Sequence, residues 1–128
     1  MRYLMFFLAS LIFSCGVAAS DSLSEEERKV AEIYARYVSN KLFVDLCSVE
    51  DTSSNYEKLL KNWVTKNQET IEIGKAILQR YYLANGLKMD QLFNSKTSAE
   101  KKYFRESAKS EKSKTCKNIV DDLSDAEQ

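Results

Sequence analysis

The chain has 128 residues, with 19 basic and 19 acidic side chains, no histidine and no proline. Without histidine, Ser-His-Asp and Cys-His catalysis, His-bearing zinc sites and ordinary histidine-based pH sensing are excluded. The balanced charge argues against nucleic-acid binding driven by excess positive charge, and three glycines without proline suit long helices with short connections rather than many tight turns.

Residues 1–20 read as a secretory signal: Arg2, an apolar run from Leu4 to Phe13, then the small residues Gly16-Val17-Ala18-Ala19-Ser20. The run is too short for a permanent membrane span, and the polar segment from Asp21 follows at once. Val17 and Ala19 fit an A-x-A-like site, so cleavage is expected after Ala19, or after Ser20 if Ala18 and Ser20 serve instead. The expected destination is the periplasm or the medium. The second-ranked reading takes Ile12-Phe13-Ser14-Cys15 as an imperfect lipobox that would leave Cys15 as an acylated anchor. Removing the leader discards Arg2 and leaves a net charge near minus one.

The exported domain, residues 21–128, then keeps Cys47 and Cys116. An even pair in an exported chain with no further ligand nearby reads as a disulfide, not a metal site. Closing a loop of roughly 70 residues, it would stabilise the fold by about 4 kcal/mol in the chain-entropy model. The fold class expected is all-α, a small bundle of three to five helices with one disulfide and an acidic tail, Asp121, Asp122, Asp125 and Glu127, whose end can be disordered or can offset the nearby lysines.

A first helix should open at a capping box, Ser24 with Glu27, with Glu25 and Glu26 at the positive end of the helix dipole. Val30, Ile33, Tyr34, Tyr37, Val38, Leu42 and Leu46 recur at helical spacing, leaving Glu32, Arg36, Asn40 and Lys41 largely outside that face, and the helix should end near Cys47. The polar stretch Ser48 to Asn55 predicts a turn and an N-cap. The strongest pattern follows, from about Ser54 to Ala84, through Tyr56, Trp63, Ile71, Leu78 and Tyr82. It predicts either one helix of about 45 Å or a break near Thr65 to Thr70, stopped by Asn85-Gly86. Trp63 belongs to its core stripe; Asn67, one turn on, reads as a structural hydrogen-bonding residue that could fix the register of facing helices, with ligand binding as the sharper alternative. Gly74 suggests close approach of a neighbouring helix, despite a propensity cost of about 1 kcal/mol.

Leu87, Met89, Leu92 and Phe93 suggest a short helix or compact connection, with Asn94 to Ser98 resetting the chain and Thr97 or Ser98 capping a final helix. That helix would bury Tyr103, Phe104, Cys116, Ile119, Val120 and Leu123, while Ser107 to Thr115 is either its exposed part or a flexible interruption. Lys101, Lys102, Arg105, Lys109, Lys112, Lys114 and Lys117 meet only Glu106 and Glu111 over this interval. A solvated face is the plain explanation; a surface for an acidic protein or anionic lipid is the sharper one, and the aromatic interleaving of a single-stranded nucleic-acid platform is missing. Tyr34, Tyr37, Tyr56, Tyr81, Tyr82 and Tyr103 read first as core, with Tyr81 or Tyr82 the candidates for an exposed recognition patch.

The carboxylate pairs Glu69 with Glu72 and Asp121 with Asp122 have no companion motif that names a substrate, and there is no phosphate-binding glycine loop or dinucleotide fingerprint. No enzyme activity, metal or cofactor is expected. In arrangement, the exported chain resembles small helical periplasmic proteins of Gram-negative bacteria that carry a cysteine after the first helix, a central Tyr, Trp and Asn, and a cysteine in the last helix; here these are Cys47, Tyr56, Trp63, Asn67 and Cys116. In architecture it also resembles the periplasmic immunity proteins that protect against type VI secreted cell-wall amidases. That resemblance implies inhibition by plugging a catalytic cleft and carries over no inhibitory residue. The expected function is therefore binding of a partner protein, as an immunity protein or inhibitor, with the Ser48 to Asn55 loop, the Asn85 to Ser98 connection and the basic face as contact regions. A periplasmic stress or chaperone-like factor and a small-ligand carrier are the alternatives.

Overall fold

A computed structural model describes residues 22–125. The leader reading over residues 1–20, Cys15 included, lies outside the described residues, as does Glu127 of the tail. Four helices and no strand occur among the described residues: α1 Glu25–Glu50, α2 Tyr56–Ala84, α3 Met89–Glu106 and α4 Lys109–Asp125.

Ser24 opens α1 with a complete capping box. The Glu27 amide donates to the Ser24 hydroxyl, and the Ser24 amide donates to the Glu27 carboxylate. The helix runs one turn past Cys47, so the first connection is only residues 51–55. There the Asp51 carboxylate accepts from the Ser53 amide and hydroxyl and from the Tyr56 hydroxyl, and Asn55 caps α2 by accepting from the Lys58 amide.

α2 is a single helix of 29 residues. The polar stretch at 65–70 does not break it, because Lys66, Gln68 and Glu69 are good helix formers on an exposed face while Trp63 and Ile71 are buried on either side. Its end is a Schellman motif: the Gly86 amide donates to the Leu83 carbonyl and the Leu87 amide to the Tyr82 carbonyl, with Gly86 at φ +69°.

The expected reset at Asn94 to Ser98 does not occur. α3 passes straight through it, since Asn94, Ser95 and Ser98 are exposed on its outer face while Phe93, Thr97 and Phe104 recur on the inner one; the Thr97 hydroxyl, rather than capping a helix, donates to the Phe93 carbonyl. The chain breaks instead at Ser107, which takes an extended conformation (φ −71°, ψ 153°), and α4 starts at Lys109. The break falls at the start of the 107–115 stretch, where an interruption is one of the two readings of the sequence, and the rest of that stretch is helix. Phe104 is buried as expected; Tyr103 is 62% exposed, pointing off the flank of α3.

α1 and α2 pack most extensively on each other, and α3 and α4 each lie across both. The residues of α1 that are fully buried are mainly Ala31, Ala35, Ser39, Phe43 and Cys47, four apart, rather than the larger apolar residues of the expected stripe, which are half-buried around them. The two backbones approach closely at Gly74 of α2: a Cβ there would stand 2.5 Å from the Val30 carbonyl oxygen. One core cluster gathers Phe43, Cys47, Tyr56, Trp63, Phe104, Cys116 and Ile119; a second, at the other end, gathers Ala31, Ala35, Leu78, Tyr82, Met89 and Phe93.

Candidate protein-binding surface

The disulfide expected between Cys47 and Cys116 is present, with Cα atoms 5.6 Å apart and both residues buried. It is one of three links that fasten α4 antiparallel to α1. Toward the chain end of α1, Lys112 pairs with Glu50 at 3.5 Å; toward its middle, Arg36 pairs with Asp122 at 2.8 Å, and the Asn40 amide donates to the same carboxylate. Arg36 also lies over the Trp63 ring, 5.8 Å from its centroid.

This polar group corrects the sequence reading in two places. Asn40, expected outside the core, is fully buried; Asp122, read as part of an acidic tail or a carboxylate pair, is 5% exposed and neutralised by Arg36 rather than offsetting the lysines. A signal for Asp122 was present, since it stands between Ile119 and Leu123 within the apolar stripe of α4. Asn67 is half-buried, and its amide donates to the Trp63 carbonyl at 2.8 Å within its own helix, so it does not fix the register of a facing helix. Tyr82 is 1% exposed and belongs to the second core cluster, which removes it from a recognition patch; Tyr81, half-buried, meets it edge-on.

The basic residues gather around the α3–α4 joint. Lys101, Lys102 and Arg105 are exposed at the end of α3, and Lys109, Lys114 and Lys117 along α4; none of these makes an ion pair among the described residues. Lys112 differs from them. Its side chain is largely covered, pairs with Glu50 and approaches the Phe104 ring, so it is part of the α1–α4 link rather than a free contact. Tyr103 adds an exposed aromatic at the end of α3, and Val49, 82% exposed, stands at the end of α1.

Between the 51–55 connection and α4 lies an open cleft of about 410 Å³. Lys109, Lys112, Ser113 and Lys117 line one wall, with Glu50, Asp51 and Tyr56 opposite. The acids of the far wall are already engaged. Asp51 is held below the usual carboxylate range by the hydrogen bonds from the Ser53 hydroxyl and amide; burial, then the charge of Asp51, pushes the Tyr56 phenol up. The sequence pointed to this connection as a contact region, but not to its position opposite α4, which depends on the disulfide.

No group of three or more histidine, cysteine or acidic side chains among the described residues is arranged to hold a metal ion, and no described helix is long and apolar enough to cross a membrane. No protein-family model, curated protein or solved structure matches the chain.

Proposed function

We propose that the chain is an exported protein that acts by binding one other protein, and that the basic end of the bundle, from Lys101 to Lys117, is its contact surface. The supporting observation is a local excess of positive charge. Between residues 101 and 117 seven basic side chains meet only Glu106 and Glu111, and six of the seven, Lys101, Lys102, Arg105, Lys109, Lys114 and Lys117, make no ion pair among the described residues. A rigid surface loses little entropy on docking, and its exposed aromatic, Tyr103, supplies an anchor of the kind that carries binding energy. The resemblance to periplasmic immunity proteins makes occlusion of a toxin or enzyme active site the concrete form of this reading. Among the described residues, the other large apolar side chains exposed to water, Val49, Ile73 and Leu83, are spread over α1 and α2 and offer no continuous surface for unrelated clients.

The test is to incubate the oxidised mature chain, beside a Cys47→Ser/Cys116→Ser form, with envelope extract of the source and of neighbouring strains, cross-link, identify the captured protein and titrate it in pure form. Saturable binding at one-to-one stoichiometry supports a dedicated binder. Suppression of aggregation across unrelated clients, without a saturable partner, would instead support the chaperone-like alternative.

A further inference from the structure

The cleft beside the disulfide has a chemistry of its own. Its α4 wall carries Lys109 and Lys117, which make no ion pair among the described residues, with the Ser113 hydroxyl between them. Its other wall carries two acids: Glu50 pairs with Lys112, and Asp51 keeps its negative charge while accepting from Ser53 and Tyr56, so the lining sums to three lysines against two carboxylates. The excess of positive charge and the donors without an ion pair therefore lie on the α4 wall. Lys109 and Lys117 are eight residues apart, so they are separated by about 12 Å along the helix axis. That is the length of about four residues of extended chain, and a peptide of that length has room for two carboxylates at the spacing of the lysines.

We infer that this cleft receives an extended, acidic segment of the partner protein, one carboxylate meeting Lys109 and a second meeting Lys117, with Ser113 available to the peptide backbone between them. This rests on the reading of the chain as a protein binder and names the partner's contributing chemistry. Glu50, paired with Lys112, and Asp51, held by Ser53 and Tyr56, form the opposite wall, whose negative charge keeps the segment's carboxylates against α4. Lys112 stays with Glu50 and keeps the wall closed against α4.

The experiment uses the oxidised mature chain and an octapeptide of alternating glutamate and glycine, with its glutamine counterpart as control, followed by amide chemical shifts and by fluorescence anisotropy at low salt. Expected are shifts centred on Ser113 and residues 51–55, weakening of roughly tenfold in a Lys109→Gln/Lys117→Gln variant, and no change in a Lys66→Gln/Lys75→Gln variant at two exposed positions of α2. Absence of binding, equal binding by the Lys109→Gln/Lys117→Gln variant, or equal binding of the glutamine peptide would each overturn the proposal. Competition by inorganic phosphate as effective as the peptide would also overturn it, by marking a site for small anions. The same variant separates this inference from the broader reading: if a captured partner binds it as tightly as the parent chain, the cleft is excluded and the protein-binding reading stands.

Discussion

Asp122 illustrates how a single side chain can set the position of a helix. It is buried between α1 and α4, paired with Arg36 and hydrogen-bonded by Asn40, and its removal leaves two donors facing a closed core. Asp122→Ala should cost about 2 kcal/mol; the value is below that for a fully buried pair because the Arg36 side chain is still about a third exposed. Chemical denaturation checks this. Gly74→Ala is a second residue-scale test. Alanine is the better helix former by about 1 kcal/mol, but its methyl would meet the Val30 carbonyl of α1, a backbone atom that cannot swing aside. Forcing the helices apart should leave the variant about 2 kcal/mol less stable. A stabilised variant in the same denaturation measurement would contradict the close crossing.

Carboxylates make opposite contributions to the pH dependence. Glu27 is held low chiefly by the Ser24 amide and Asp51 chiefly by the Ser53 hydroxyl, so the stability they add is complete above their ordinary values of 4.5 and 3.8 and is lost as the pH falls through their lowered ones. Glu100 is raised by burial, with Lys96 pulling it back in part; it costs stability at neutral pH, and the cost is relieved on acidification. Glu100→Gln should therefore raise the melting temperature at pH 7, and the gain should vanish below about pH 4.5, where the native glutamate is protonated in both folded and unfolded chains. A gain that persists unchanged at pH 4 would place Glu100 in a different environment.

At the scale of elements, α4 is the helix most dependent on its links. Its 17 residues include the weak helix formers Ser110, Ser113, Thr115, Asn118, Asp121 and Asp122, and they reach the core through Cys116, Ile119, Asp122 and Leu123. The disulfide joins residues 69 apart in sequence, and replacing both cysteines by serine should cost about 4 kcal/mol. Hydrogen exchange should then rise first in α4, with α1 and α2 retaining their protection; uniform loss across the four helices would contradict the description of α4 as a tethered element. Element boundaries also show what was legible in the sequence. The capping box at Ser24, the stop at Gly86 and the stripe of α2 were readable because each rests on local chemistry. The α3–α4 break was legible only in part: an interruption between Ser107 and Thr115 was one of two readings, but Asn94 to Ser98, richer in turn-forming residues, was expected to be the reset and is helix. The inner positions Phe93, Thr97 and Phe104 decided the matter through packing.

For the molecule as a whole, the same limit applies to the site. The excess of lysine between Lys101 and Lys117 was visible in the sequence, and the disulfide followed from the cysteine count. That Lys112 would be taken up by Glu50, and that Lys109 and Lys117 would face the 51–55 connection across a cleft, depends on residues about 60 apart being brought together. No local pattern carries that information. Tyr82, read first as core and only secondarily as a recognition candidate, is core; the two readings stayed open because a tyrosine at helical spacing looks the same whether its ring ends in a core or on a surface.

The central claim is that one partner docks on a surface already formed at the α3–α4 end of the bundle. The most direct measurement is hydrogen exchange of the oxidised mature chain, alone and saturated with its captured partner. New protection is predicted in residues 51–56 and 101–117, with little change in α1 and α2 elsewhere. Protection concentrated on the outer face of α2, or spread evenly over all four helices, would contradict the account.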